Sequence, residues 1–349
     1  MLVTCDHDAR QYVIALNNMS NSAELASDFS YLEGVPAGVL TFDFTHMAAG
    51  LTQETREAYL PGNFGFQPTI SLLEIVSTIA SFTEHAAICP HHLVVILPNK
   101  HSRVGRFLID MGLPAFLKKM KLDIGEANPA SVELGRDDPT RKSLIPLTVI
   151  DTLFGGQPNF EVYELLLESV ENVFTEALPG EQSLVNCFTS IVDEAIDNLV
   201  EYGRGGIIGG LYYPKIGEVE ITMVNRYSGF GGSTPDEELE ALIEACEGKT
   251  RRAKGGGTGI ANLSRLALVC FGTLLLRNGN AVLRLLPDGS VSATTDNTGI
   301  HTPGAYVTIL LQLLPSKSIT RTEDMRKFEA VLDKWLQTYS RRSSRKTLQ

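Results

Sequence analysis

Residues 191–203 read IVDEAIDNLVEYG and place a carboxylate and an amide on one side of a predicted helix. Glu194 and Asn198 are four residues apart, so their side chains project from the same helix face. An Asn oxygen can ligate Mg²⁺, and a Glu can accept a proton from an attacking nucleophile. Three further carboxylates lie nearby, at Asp193, Asp197 and Glu201. By itself, therefore, the segment also fits a solvated acidic helix face.

The next informative stretch, residues 219–233, reads VEITMVNRYSGFGGS and predicts a strand that ends in a glycine-rich turn. Apolar residues alternate along the strand, as expected when one of its faces is buried. Gly229 and Gly231 allow backbone conformations that other residues avoid, and they let a flat ligand approach the chain closely. The alternative interpretation is an ordinary hairpin turn.

Residues 254–263 read KGGGTGIANL and place four glycines before an apolar helix. Backbone N–H groups at a helix start bind anions, and the helix dipole favours negative charge there. Cations that could meet phosphates lie at Lys249, Arg251, Arg252 and Lys254. No GK[ST] follows the glycines, so this is not a Walker loop, and Asn262 stands where a dinucleotide-binding pattern needs its third glycine. The alternative interpretation is a flexible loop that caps a helix.

The order of these three segments resembles the GHKL superfamily of ATPases and kinases, whose ATP-binding domain has the Bergerat fold. DEAIDN (193–198) is similar to the family's N box, SGFGG (228–232) to its first glycine box and GGGTGIANL (255–263) to its second. GAYVTILLQLLP (304–315) is similar to the closing strand. The resemblance covers about residues 145–315 and implies an α/β sandwich in which a mixed sheet lies under helices.

The resemblance also implies roles for individual residues. Asn198 would coordinate the Mg²⁺ that bridges the phosphates of ATP, and Glu194 would be the general base. Asn225 stands where the family usually has an Asp that contacts the adenine amino group. Gly229 and Gly231 would shape the adenine pocket. The remaining residues would hinge the lid and contact phosphate: Lys254, Gly255, Gly256, Gly257, Thr258 and Gly259.

Two departures from the family pattern affect the adenine end of the site. Asn225 is neutral where the family has a charged Asp, so its hydrogen bond to adenine should be weaker, and about two extra residues separate it from Gly229. Gly304 and Ala305 stand where the family often has Gly-Thr. Neither change touches Glu194 or Asn198.

The rest of the chain divides into further predicted units. Residues 1–135 alternate strand-like and helix-like segments, which predicts a small α/β module. Within it, LVVILPNKHSRVGRFLIDMGL (93–113) is loosely similar to STAS domains, in which a phosphorylatable Ser begins a helix after a strand. Ser102 has that position, although Ser is also a favoured helix N-cap. The predicted ATP-binding domain spans 142–316, and 317–349 form an amphipathic helix with a basic tail.

Composition limits the class of function. The net charge of −11 argues against broad nucleic-acid binding, and five widely spaced cysteines without a CxxC argue against a disulfide framework. No signal peptide or membrane span is predicted, so we expect a cytoplasmic protein. The resemblance implies a Mg-ATP-binding conformational switch with slow ATP hydrolysis, acting on a protein partner or a second copy. Two alternatives stay open: a serine/threonine kinase of the anti-sigma type, and a non-hydrolysing nucleotide sensor or scaffold.

Overall fold

The computed structural model of the protein describes thirteen stretches of the chain, and within them the structure is mixed α/β with two sheets and several helices. The stretches are residues 2–6, 8–15, 36–45, 91–98, 108–119, 122–124, 143–153, 157–203, 205–214, 217–225, 229–248, 258–295 and 304–313. Ser102, the lid residues Lys254, Gly255, Gly256 and Gly257, and the C-terminal 317–349 lie outside them.

The first sheet comes from the N-terminal third of the chain. Its strands are β1 (Leu2–Asp6), β2 (Gln11–Ala15), β3 (Val39–Asp43), β4 (His92–Ile96) and β5 (Asp123–Ile124), in that spatial order. β1 and β2 pair antiparallel, and β2 to β5 pair parallel. Helix α1 (Leu113–Lys119) precedes β5. The described part of this region therefore contains both strands and helix, as the alternating pattern predicted.

The second sheet has eight strands, drawn from residues 144–312. They are β6 (Leu144–Leu153), β7 (Gln157–Pro158), β8 (Gly205–Tyr213), β9 (Glu218–Asn225), β10 (Thr273–Asn278), β11 (Ala281–Leu285), β12 (Val291–Thr295) and β13 (Ala305–Gln312). Their order across the sheet is β12-β11-β10-β13-β9-β8-β6-β7.

The sequence predicted a mixed sheet here, but every pairing among its described strands is antiparallel. The reason is the last strand. β9 and β10 run parallel to each other, yet β13 lies between them and pairs antiparallel with both. Short connections join β8 to β9, β10 to β11 and β11 to β12, and such connections also require antiparallel neighbours.

Four helices accompany this sheet: α2 (Phe160–Ala177), α3 (Gln182–Gly203), α4 (Pro235–Glu247) and α5 (Gly259–Val269). Their ends follow local chemistry. The side chain of Asn159 caps the start of α2, and Thr234 with Pro235 begins α4. Gly248 ends α4 with a left-handed backbone at φ 74°. The helix predicted over 191–203 is confirmed as the second half of α3.

All four helices share one core with one face of the sheet. The strand residues in this core alternate, as Ile221 and Met223 of β9 and Val307 and Ile309 of β13 illustrate. Because alternate strand residues point to the same side, α2 to α5 pack on a single face. Full burial of each such aliphatic side chain contributes roughly 1.5–3 kcal/mol. No helix in the described ranges is long and apolar enough to cross a membrane.

A backbone hydrogen bond connects the two halves of the chain. The N–H of Leu147 in β6 donates to the carbonyl of Met111, just before α1, over 2.9 Å. The pairing of β6 with β8 shifts register between Ile145 and Thr148, which surround this residue. The irregularity frees the Leu147 N–H from the ladder, so β6 contacts the residues just before α1 directly.

Candidate functional site

The first turn of α5 packs directly against α3. A Cβ on Gly259 would overlap Nδ2 of Asn198 and would lie 3.2 Å from the Glu194 carbonyl oxygen and 3.3 Å from Cα of Ala195. Any side chain at position 259 would therefore separate the two helices. The structure thus brings together two of the three segments singled out in the sequence, although they are far apart along the chain.

The Glu194 carboxylate connects these helices. Thr258 donates its hydroxyl hydrogen to Oε1, and Nδ2 of Asn262 donates to Oε2 over 2.6 Å. Both donors come from the first turn of α5, where the helix dipole also favours a negative charge. Hydrogen bonds to a carboxylate are stronger than neutral ones, so this contact fixes both the helix packing and the direction of the carboxylate.

Asn198 lies one turn along α3 from Glu194, and its amide has a defined orientation. Nδ2 donates to the Glu194 carbonyl oxygen over 2.9 Å. A carbonyl can only accept, so the amide nitrogen must face the helix backbone and Oδ1 must face away from it. Oδ1 is therefore the atom of Asn198 that could ligate a metal ion.

Metal ligands are otherwise sparse in this region. Among the described residues, no three His, Cys, Asp or Glu side chains converge to hold a metal ion. A metal at Asn198 would need most of its ligands from a bound molecule and from water, which is how Mg²⁺ is usually held beside phosphates.

The start of α5 has an unusual cap. Thr258 occupies the N-cap position, but its side chain makes no hydrogen bond to the helix and bonds Glu194 instead. The first N–H groups of any helix lack partners within the helix. The Thr258 side chain therefore leaves these N–H groups uncapped at the buried first turn, which begins with Gly259, Ile260 and Ala261.

The remaining segment, residues 219–233, begins with β9, and the last residue of β9 is Asn225. Gly206, Asn225, Ala305 and Asn278 are direct partners on the neighbouring strands β8, β9, β13 and β10. All four lie on the helix-facing side of the sheet. Asn225 is two residues after Met223, which belongs to the core between the sheet and the helices, and alternate strand residues point to the same side. A Cβ on Gly206 would lie 3.3 Å from a methyl of Leu199, the residue after Asn198 in α3. The β8 end of this row therefore lies against α3, one residue after Asn198.

Asn278, which the sequence analysis did not single out, holds the glycine turn. Its Oδ1 accepts from the N–H of Phe230 over 2.9 Å, and its Nδ2 donates to the carbonyls of Gly231 and Glu238 over 2.7 and 3.1 Å. A Cβ on Gly229 would overlap this amide. Asn278 is 3% exposed. The available sequence signal was a polar residue at the end of an apolar strand, but this signal does not indicate which residues Asn278 would contact.

Asn262 was also missed as a site residue. In the sequence it served to reject a dinucleotide-binding pattern, whereas in the structure it binds Glu194 and accepts a hydrogen bond from Arg265 over 3.1 Å. The available signal was an amide one helical turn after Thr258 in an otherwise apolar segment.

A neighbouring face of α3 carries a second carboxylate contact. The hydroxyl of Tyr163 in α2 lies 2.8 Å from Oδ1 of Asp197 and also bonds Asp193. Burial, reinforced by these two carboxylates, raises the pKa of the Tyr163 phenol above its ordinary value. Asp193 and Asp197 therefore belong to the packing of α2 on α3, away from Glu194.

The remaining predicted site residues fall into two groups. Gly231 has φ 111°, a conformation that favours glycine, and with Gly229 it forms the turn held by Asn278. Lys254 and the three glycines after it lie outside the described residues, as do the other cations of residues 249–253. No protein-family model matches the chain, and no curated protein matches it in sequence.

Proposed function

We propose that residues 142–316 bind Mg-ATP in a Bergerat-type α/β sandwich and act as a nucleotide-dependent switch with slow ATP hydrolysis. The observation that supports this most is the contact of the first turn of α5 with the Glu194–Asn198 face of α3. Such a contact is what the resemblance to the GHKL superfamily implies for the N box and the second glycine box.

The residues present fit a magnesium nucleotide. Oδ1 of Asn198 faces away from its helix and supplies one hard oxygen ligand, and the uncapped first turn of α5 supplies backbone donors for phosphate. Asn225 of β9, between its small cross-strand neighbours Gly206 and Ala305, would offer an amide for a flat base. When bound, Mg²⁺ would offset the charge of the phosphates.

In this proposal Glu194 accepts a proton from the attacking water. Each carboxylate oxygen has a second lone pair, so its bonds to Thr258 and Asn262 are compatible with that role. Asn198 orients the bound metal ion, and the turn that begins at Gly229 positions the base. Buried free thiols at Cys187 and Cys270 suit the reducing cytoplasm that we propose as the compartment.

The structure of β6 suggests how a switch could reach the N-terminal module. β6 pairs with β8, β8 pairs with β9, and β6 also bonds Met111 through Leu147. A nucleotide bound at the end of β9 would thus act on a sheet in which β6, two strands away, contacts the N-terminal module. A protein partner or a second copy of the chain would respond to that change.

A second candidate is a non-hydrolysing nucleotide sensor. The observation that favours it is that both Glu194 oxygens already accept hydrogen bonds from α5, so the carboxylate also acts as a structural tie. Such a protein would bind nucleotide and change conformation without turnover.

Titration of the full chain with a non-hydrolysable ATP analogue, with and without Mg²⁺, tests the proposal. We expect saturable binding that depends on Mg²⁺, and no binding in either condition would contradict it. Incubation with labelled ATP then separates the alternatives. Free phosphate indicates an ATPase, label on protein indicates a kinase, and binding without either product indicates a sensor.

A further inference from the structure

Three side chains form a relay that ends at the Glu194 carboxylate. Arg265 Nη1 donates to Oδ1 of Asn262 over 3.1 Å, and Nδ2 of Asn262 donates to Oε2 of Glu194 over 2.6 Å. A guanidinium can only donate and a carboxylate can only accept. The Asn262 amide is therefore held in one orientation by the chemistry at both of its ends.

The position of Asn262 in α5 makes the relay rigid. Asn262 is 6% exposed, and its backbone N–H donates to the Thr258 carbonyl over 2.8 Å. The same turn thus supplies both donors to Glu194, Thr258 to one oxygen and Asn262 to the other. The direction of the carboxylate is set by α5, although the carboxylate itself belongs to α3.

We propose that Asn262, oriented by Arg265, is the positioning residue for Glu194. It directs the carboxylate at the reacting group and thereby controls turnover without touching the nucleotide. The effect on turnover rests on the proposed function, whereas the contact itself can be tested in the protein without ligand.

A reciprocal exchange tests the contact in the ligand-free protein. N262D is nearly isosteric and keeps a partner for Arg265, but it sets two carboxylates face to face, so we expect the thermal midpoint to fall by roughly 3 °C or more. E194Q alone should be tolerated, since the Thr258 hydroxyl can also accept a hydrogen bond. The double variant E194Q/N262D restores a donor–acceptor pair and should recover most of the lost midpoint.

Turnover tests the positioning role. We expect N262A to lower kcat roughly ten- to a hundredfold, the effect of misplacing a catalytic group by about 1 Å, with nucleotide affinity nearly unchanged. In an E194Q background the same substitution should lower kcat no further, because the group that it positions is already gone. S264A is the matched control, since Ser264 is also buried in α5 but bonds the Ile260 carbonyl.

Each possible failure has a separate meaning. If N262D is as stable as wild type, or if E194Q does not relieve it, the relay is wrong whatever the nucleotide result. If N262A leaves kcat unchanged, or lowers it by the same factor with and without Glu194, the positioning role is wrong. Absence of nucleotide binding by the wild-type chain overturns the proposed function, and the reciprocal exchange still decides the contact.

Discussion

Helix α3 presents carboxylates on two faces, and the two faces differ in what they contact. On one face Glu194 binds Thr258 and Asn262 at the start of α5, and on the other Asp193 and Asp197 bind Tyr163 in the first turn of α2. Both contacts join a hydroxyl donor to a carboxylate. The α5 face adds an amide at Asn198 and a glycine-lined helix start. The acidic run on this one helix is thus divided, residue by residue, between helix packing and a candidate site.

The sharpest test of this division exchanges one carboxylate on each face. E194Q should lower ATP turnover by about 10²–10⁴-fold, because Gln cannot accept the proton, and should leave nucleotide affinity nearly intact. D197N is the matched control on the Tyr163 face and should keep turnover close to wild type. Phosphate release and calorimetric binding measure the two quantities. Full ATP turnover in E194Q, or an equal loss of turnover in D197N, would contradict the assignment of catalysis to one face and packing to the other.

Asn198 provides the next largest effect. N198A removes the Oδ1 ligand and should weaken Mg-dependent nucleotide binding by roughly ten- to a hundredfold, as expected for a lost interaction with a charged group. Binding measured without Mg²⁺ should change little, which separates loss of a metal ligand from general damage. Equal affinities for the variant and the wild type in Mg²⁺ would remove the metal from this face of α3.

A smaller effect is expected at Asn225, whose strand partner Gly206 lies against Leu199 of α3. Asn225 is 8% exposed, so N225D buries a charge and should destabilise the ligand-free protein. With nucleotide bound, the charged acceptor should make a hydrogen bond roughly twice as strong, so the analogue should raise the thermal midpoint more in the variant than in wild type. A smaller ligand-induced rise of the thermal midpoint in the variant would mean that the surroundings of position 225 favour an amide over a carboxylate.

The Tyr163 face should respond in stability and not in turnover. Y163F removes the donor to two carboxylates and should lower the free energy of unfolding by about 1 kcal/mol at neutral pH. The raised pKa of Tyr163 means that the folded state holds the phenolic proton more tightly than the unfolded chain. That contribution is complete below about pH 10 and is lost as the pH rises further.

Denaturant unfolding from pH 7 to 11 measures this effect, with the Phe variant as the reference for all other titrating groups. The difference between the two proteins should be constant up to about pH 10 and should narrow above it. A difference that widens with pH would contradict the assignment. A large loss of turnover in Y163F would place both faces of α3 in one site.

Much of the local structure could be predicted from the sequence because it depends on short-range periodicity. Apolar alternation predicted β9, a helix was predicted over 191–203 of α3, and the shared face of Glu194 and Asn198 follows from 3.6 residues per turn. The separation of Glu194 from Asp193 and Asp197 follows from the same helical spacing. Each of these predictions needs only residues that are close along the chain.

The antiparallel order of the second sheet could not be predicted in that way. The patterns of β9 and β10 predict strands but not the strand that lies between them. β13 takes that position because its apolar residues Val307 and Ile309 complete the same core face as those of β9 and β10. Burial across the whole sheet decides which strands become neighbours, and the local sequence pattern of a strand does not specify its neighbours.

The sequence by itself determined the elements, the face shared by Glu194 and Asn198, and the turn of Gly229 and Gly231. Tertiary structure decided which side chains meet them. Asn262 and Glu194 are 68 residues apart along the chain, and Asn278 and the glycine turn are 48 apart. The physical reason is that a buried amide or carboxylate must find a partner, and the partner is fixed only when packing closes the long loops between them.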